Sequence, residues 1–154
     1  MGYDVSKLCF DGPEEELNKT FRTQPCILTV STALCRIVSS KNIRPSAVAG
    51  HSLGEYSALC AAGAFDLATT ARLLKTRGQA MQAAVPVGVG AMAALLGADI
   101  DTAQKLADAA AEGEVCTVAN DNDPSQVVIS GHKGAVERAV AMVKDYGIKR
   151  GVLL

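Results

Sequence analysis

The residues richest in possible chemistry are Gly50-His51-Ser52-Leu53-Gly54, which fit the pattern G-x-S-x-G. In that pattern a serine occupies a sharp strand-to-helix turn, its hydroxyl raised clear of the backbone and the next N–H aimed at a developing oxyanion. The flanking glycines have a steric reason. At so tight an elbow a side chain would crowd the neighbouring strand or helix and force the serine off its strained conformation. The chemistry on offer is nucleophilic attack by Ser52, and the bland alternative is a structural turn. A serine hydroxyl needs a base within hydrogen-bond reach, usually an imidazole. The chain has only His51 and His132. His51 adjoins the serine where successive side chains diverge, and reads as a substrate-side or packing residue. His132 follows Ser130-Gly131 in a strand-to-helix turn and reads as a solvated cap. No general base is visible.

Arg77 lies late in the second helix beyond the elbow, twenty-five residues after Ser52. By spacing alone it is a surface arginine. Its functional reading is a clamp for a substrate carboxylate, because a planar guanidinium pairs both oxygens where lysine offers a point charge. Two other stretches only imitate sites. Gly88-Val-Gly90-Ala lacks the third glycine of a dinucleotide loop and reads as a hinge. Asp121-Asn-Asp-Pro lacks the sixth-position glycine and final glutamate of a calcium loop, so 120–125 reads as a turn.

These residues must be held by regular elements. Pro13 followed by three glutamates predicts a short solvated helix. Thr23 can cap a longer one with Pro25 in its first turn, whose stripe of Ile27, Val30, Leu34 and Ile37 predicts a packed face. Ala47-Val-Ala49 is short and apolar enough for a buried parallel strand leading into the elbow. A helix over Leu53–Ala62 stops at Gly63, and Asp66 caps another that runs to Pro86. Beyond the uncharged Val87-Gly-Val-Gly the order becomes strand, helix, strand, strand, helix, strand. The strands are expected at 91–96, 115–119, 126–130 and 150–154, and the helices at 102–111 and 135–146, the order of a split β-α-β, or ferredoxin-like, unit. The expected domains are therefore 1–86 and 87–154.

Composition sets the bounds. The 154 residues are 49% hydrophobic and 20% charged, with fifteen Lys and Arg against sixteen Asp and Glu, which is an ordinary globular balance. No run of either sign suggests nucleic acid or an anionic membrane as partner. No apolar stretch approaches the roughly 18 residues of a membrane span, and the first residues lack a signal-peptide core, so the expected location is the cytoplasm. Five cysteines with no C-x-x-C spacing support neither a disulfide framework nor a zinc knuckle.

Taken together, Gly50-His-Ser-Leu-Gly-Glu-Tyr-Ser-Ala-Leu and Arg77-Gly-Gln-Ala-Met-Gln82 closely resemble the malonyl-CoA:acyl carrier protein transacylases of bacterial type II fatty-acid synthesis. Glu16-Leu-Asn-Lys-Thr, Thr23-Gln-Pro, Gly90-Ala-Met-Ala-Ala, Asn120 and Gln126-Val-Val-Ile-Ser-Gly131 resemble that family too, in order and spacing. The resemblance implies an α/β fold: an α/β-hydrolase-like subdomain with a parallel sheet, incomplete here, carrying an inserted ferredoxin-like α+β subdomain. It implies malonyl transfer from malonyl-CoA, through a serine ester, to the phosphopantetheine thiol of acyl carrier protein. Malonyl-CoA is then a substrate, and no cofactor or metal is implied. Carried over by position, Ser52 is the nucleophile, the Leu53 N–H an oxyanion donor and Arg77 the malonyl carboxylate receptor, with His51 and Met81 lining the acyl pocket.

The family's N-terminal Gly-Gln-Gly segment and its general-base histidine have no counterpart among these residues, so the 154 residues alone are expected to turn over poorly. Removal of the base from a serine catalytic unit costs on the order of 10⁴ to 10⁶ in turnover. The competing readings are a serine esterase or thioesterase on the same elbow, which has no need of a carboxylate clamp, and an inactive fragment that binds a carrier protein. The 90–154 unit is expected to fold better than the remainder, whose strand at 47–49 lacks neighbours.

Overall fold

The computed structural model describes residues 2–86 and 88–154. The chain divides into two compact units, Met1–Ala84 and Val85–Leu154. The boundary expected at Val87 falls on a residue outside those described.

The described part of the first unit is helical. Helix α1 (Val5–Asp11) is capped by Asp4, which accepts the Lys7 N–H at 2.9 Å. Helix α2 (Glu14–Leu17) follows Pro13 and carries three glutamates in its first turn. Helix α3 (Thr20–Ser40) starts one turn earlier than expected. The Thr23 hydroxyl does not cap it. It donates back to the Lys19 carbonyl at 3.1 Å, as a mid-helix threonine does. Pro25 is thereby carried into the helix interior.

The expected packed stripe of α3 is corrected more substantially. Ile27, Val30, Leu34 and Ile37 are 45–58% exposed, while Gln24, Pro25, Cys26 and Leu28 are buried. Helix α3 packs on helix α5 (Leu67–Ala84), whose buried residues are Thr70, Leu74 and Gly78, while the buried Cys26 neighbours Cys9 of α1. Among the described residues of this unit no element covers the stripe. The strand expected at 47–49 is likewise absent: those residues are exposed and outside any ladder. A strand exists only through a paired neighbour, and the four strands described all lie in the second unit.

Helix α4 (Gly54–Ala61) ends before Gly63, whose φ is +78°. Asp66 caps α5 by accepting the Thr69 N–H at 2.6 Å.

The second unit is a four-stranded sheet in the order β2-β3-β1-β4, every neighbouring pair antiparallel. Its elements are β1 (Gly90–Leu96), α6 (Ile100–Ala111), β2 (Cys116–Asp123), β3 (Gln126–His132), α7 (Lys133–Met142) and β4 (Arg150–Leu153), with a 3-10 turn at Val143–Tyr146. This is the split β-α-β order. Alternation puts Ala93 and Leu95 of β1 and Val127 and Ile129 of β3 into the core. They meet Ala103, Leu106, Ala107 and Ala110, which recur at three- and four-residue spacing along α6. The turn expected at 120–125 is instead mostly strand. Asn120, Asp121 and Asp123 pair with Val128, Val127 and Gln126 across two register shifts, and an edge strand leaves such polar side chains in water.

Candidate active site

The elbow is built where residues 47–51 run into α4. Ser52 has φ +55°, a left-handed value that few non-glycine residues adopt. The turn closes through Gly54 N–H to His51 C=O at 2.9 Å and Glu55 N–H to Ser52 C=O at 3.2 Å. Gly50 is required by proximity, since a Cβ there would stand 2.1 Å from the Gly54 carbonyl carbon and 2.2 Å from the Glu55 nitrogen. The Leu53 N–H, at the α4 N-cap position, has no acceptor among the described residues. It is free to meet an external oxygen.

Helix α5 brings Arg77 to this turn. Its Nη2 donates to Ser52 Oγ at 3.1 Å, and its Nη1 to Gln24 Oε1 at 2.7 Å. The Tyr56 ring of α4 lies 5.9 Å from the guanidinium carbon, within cation–π range. Among the described residues no carboxylate lies within ion-pair distance of Arg77, which is a half-buried cation without a protein counterion. Met81 stands one turn beyond Arg77, and its thioether accepts from Gln24 Nε2 at 3.4 Å. Ser52, Arg77 and Met81 are therefore brought into one network, joined by Gln24.

Gln24 is the residue that sequence reasoning missed. It was visible only as part of the Thr23-Gln-Pro likeness, and its 2% exposure in an otherwise open helix is the signal that gives it weight. The sequence could not have paired it with a side chain fifty-three positions away.

His51 stands apart from this network. It lines a groove of about 670 Å³ with Cys35, Val48, Ala58 and Phe65, and neither Ser52 nor Arg77 contributes to that lining. His132 belongs to the second unit. It occupies the N-cap position of α7 without a side-chain cap, and its Nδ1 accepts the Val115 N–H at 2.8 Å, tying down the start of β2. Cys26, two residues from Gln24, is no rival nucleophile. Burial, then the neighbouring Cys9 thiol, pushes its thiol up to about 11, so it stays protonated at neutral pH. No group of three or more His, Cys, Asp or Glu residues suited to a metal occurs among the described residues, and no described helix is long and apolar enough to cross a membrane.

One turn thus brings together a serine at positive φ, a free backbone N–H and a guanidinium without a carboxylate partner among the described residues. Residues 1–153 match the acyl transferase domain family. The chain is 52% identical over 155 residues to the malonyl CoA-acyl carrier protein transacylase of Escherichia coli K12, covering 100% of this chain and 50% of that protein. It is 44% identical over 151 residues to the Bacillus subtilis 168 protein of the same name, covering 97% and 48%. Among solved structures it superposes with TM-score 0.94 on a malonyl-transacylase in complex with a type II polyketide synthase acyl-carrier protein, at 47% identity over 99% of this chain and 50% of that one. The Coxiella burnetii malonyl CoA-acyl carrier protein transacylase gives the same TM-score at 43% identity, covering 99% and 48%. The chain spans about half the length of the curated relatives it matches. With the elbow, the arginine and a family match running along nearly the whole sequence in agreement, the chain belongs to the acyl transferase domain family.

Proposed function

We propose that Ser52 accepts a malonyl group from malonyl-CoA and that the protein of which these residues form part passes it to the phosphopantetheine thiol of an acyl carrier protein. Ser52 Oγ attacks the thioester carbonyl, the C–S bond breaks and coenzyme A leaves as the thiol. The carrier thiol then attacks the serine ester, the C–O bond breaks and Ser52 recovers its proton. The Leu53 N–H stabilises the oxyanion of each tetrahedral intermediate. Arg77 binds the malonyl carboxylate. It has no acceptor atom and cannot take the serine proton, but by donating to Oγ it leaves that proton free to face a base.

The observation that carries this reading is the contact of Arg77 Nη2 with Ser52 Oγ at 3.1 Å. In a malonyl ester one methylene separates the acyl carbon from the free carboxylate, so its receptor has to stand within a side chain's reach of the nucleophile. A hydrolase of neutral acyl groups has no use for a guanidinium there. Met81 borders the acyl path in this reading, and His51, facing its own groove, contributes least. The proposed reaction requires no resident cofactor, since malonyl-CoA enters as substrate, and we place it in the cytoplasm.

The test is intact mass after incubation with malonyl-CoA beside acetyl-CoA, with Ser52→Ala as blank. A malonyl-selective adduct on Ser52 is expected. Arg77→Ala should reduce the malonyl preference by roughly 10- to 100-fold, the worth of a charge-assisted hydrogen bond. A preference that survives Arg77→Ala would rule out the clamp.

A further inference from the structure

We propose that Gln24 is the positioning residue that makes the site selective for acyl donors with a free carboxylate, by fixing the Arg77 guanidinium without neutralising it. The inference rests on the assignment of Arg77 given above and deepens it.

A buried primary amide needs partners for both ends, and Gln24 has them. Arginine only donates, so the atom facing Arg77 Nη1 at 2.7 Å has to be the amide oxygen. The amide nitrogen then faces Thr20 Oγ1 at 3.0 Å and the Met81 sulfur at 3.4 Å, one partner on its own helix and one on α5. The amide is pinned from both helices. Its oxygen in turn pins one end of the guanidinium while Ser52 meets the other.

The chemical identity of the anchor matters. A carboxylate at position 24 would hold Arg77 as firmly, but it would supply the counterion that the substrate is meant to supply. A neutral acceptor orients the cation and leaves its charge unspent. Gln24 and Ser52 engage one N–H each of the five that a guanidinium carries, and three remain for an incoming carboxylate. Holding a long, rotamer-rich side chain before substrate arrives also removes part of the ordering penalty of binding.

The test compares the chain with Gln24→Met, which matches the volume without an acceptor, and Gln24→Glu, which keeps the acceptor and adds a charge. The first readout is the ratio of malonyl to acetyl adduct formation on Ser52. Gln24→Met should lower that ratio about tenfold, the order of one hydrogen bond to a charged group, and Gln24→Glu should lower it further. A merely structural role would lower both rates together, and an unchanged ratio overturns the proposal. The second readout is independent of acylation: side-chain nitrogen NMR of Arg77, in which restrained rotation separates the Nη resonances. They should be resolved in the unaltered chain and in Gln24→Glu, and averaged in Gln24→Met. Identical Arg77 spectra in the unaltered chain and Gln24→Met overturn the proposal even if no adduct forms. Loss of selectivity in Gln24→Met but not in Arg77→Ala would instead sink the clamp assignment itself.

Discussion

Gly78 of α5 lies directly against the backbone of Phe21 of α3: a Cβ on Gly78 would stand 2.5 Å from the Phe21 Cα. The adjacent residue on α5 is Arg77, and Gln24 lies one turn beyond Phe21 on α3, so the Gln24–Arg77 hydrogen bond is made beside this close contact.

Gly78→Ala should therefore push α3 and α5 apart. Overpacking at backbone contact costs typically 1–3 kcal/mol, or about that much in urea-unfolding free energy. The same displacement should lengthen the Gln24–Arg77 bond and blunt malonyl selectivity. An alanine variant with unchanged stability and selectivity would show that the helices are not held at this crossing.

Gly50→Ala places a methyl group where the Gly54 carbonyl and Glu55 nitrogen already stand, and backbone atoms cannot rotate away as a flexible side chain can. The elbow has to open and Ser52 must lose its register with Arg77. We expect the serine adduct to disappear while amide exchange in 90–154 stays as it was. An intact adduct would mean that the turn tolerates a wider geometry than the one described.

Two helix caps set an acid limit. The N–H and then the hydroxyl of Thr69 hold the Asp66 carboxyl below its ordinary value of 3.8, and the hydroxyl and then the N–H of Thr102 do the same for Asp99. A native value below the unfolded one means stability that is complete above the unfolded value and is lost as pH falls through the depressed one. Unfolding followed from pH 5 downward should show this loss, and Asp66→Asn with Asp99→Asn should flatten it. An equally steep acid limb in the double variant would place the titrating groups elsewhere.

The second unit should exchange its core amides more slowly than the elbow region. Leu95, Leu106, Val127 and Ile129 are fully buried in one cluster, and Arg138 closes the end of α6 by donating to the Ala110 and Ala111 carbonyls at 3.0 and 3.1 Å. The first unit carries an exposed apolar face on α3. Hydrogen exchange showing 50–61 better protected than β1 and β3 would reverse this ranking.

The contrast between the units also explains what the sequence could reveal. In the second unit the apolar faces of β1, β3 and α6 meet one another in one cluster, so alternation in β1 and β3 and the Ala103–Leu106–Ala110 spacing translate directly into a core. Only the edges shifted, as at β2, where pairing continued through residues whose polarity suggested a turn. In the first unit the same periodicity misled. Ile27, Val30, Leu34 and Ile37 form a correct helical stripe, yet periodicity says which residues share a face and not whether anything lies over it. At the site, Ser52 was legible because the elbow is local, with its glycines two residues to either side. The Arg77–Gln24 pair was not, because it is made between two helices, and no local pattern encodes which side chains meet across such a contact.

The backbone of Ser52 has one further consequence. At φ +55° serine is held where glycine would rest at ease, so position 52 is a standing thermodynamic liability, one that the proposed nucleophilic role would account for. Selection for stability alone would favour glycine there, at the cost of the hydroxyl to which we assign the acyl group. On the proposed function the identity of residue 52 works as an evolutionary gauge: in a descendant freed from that chemistry, drift toward glycine would yield a more comfortable, silent protein.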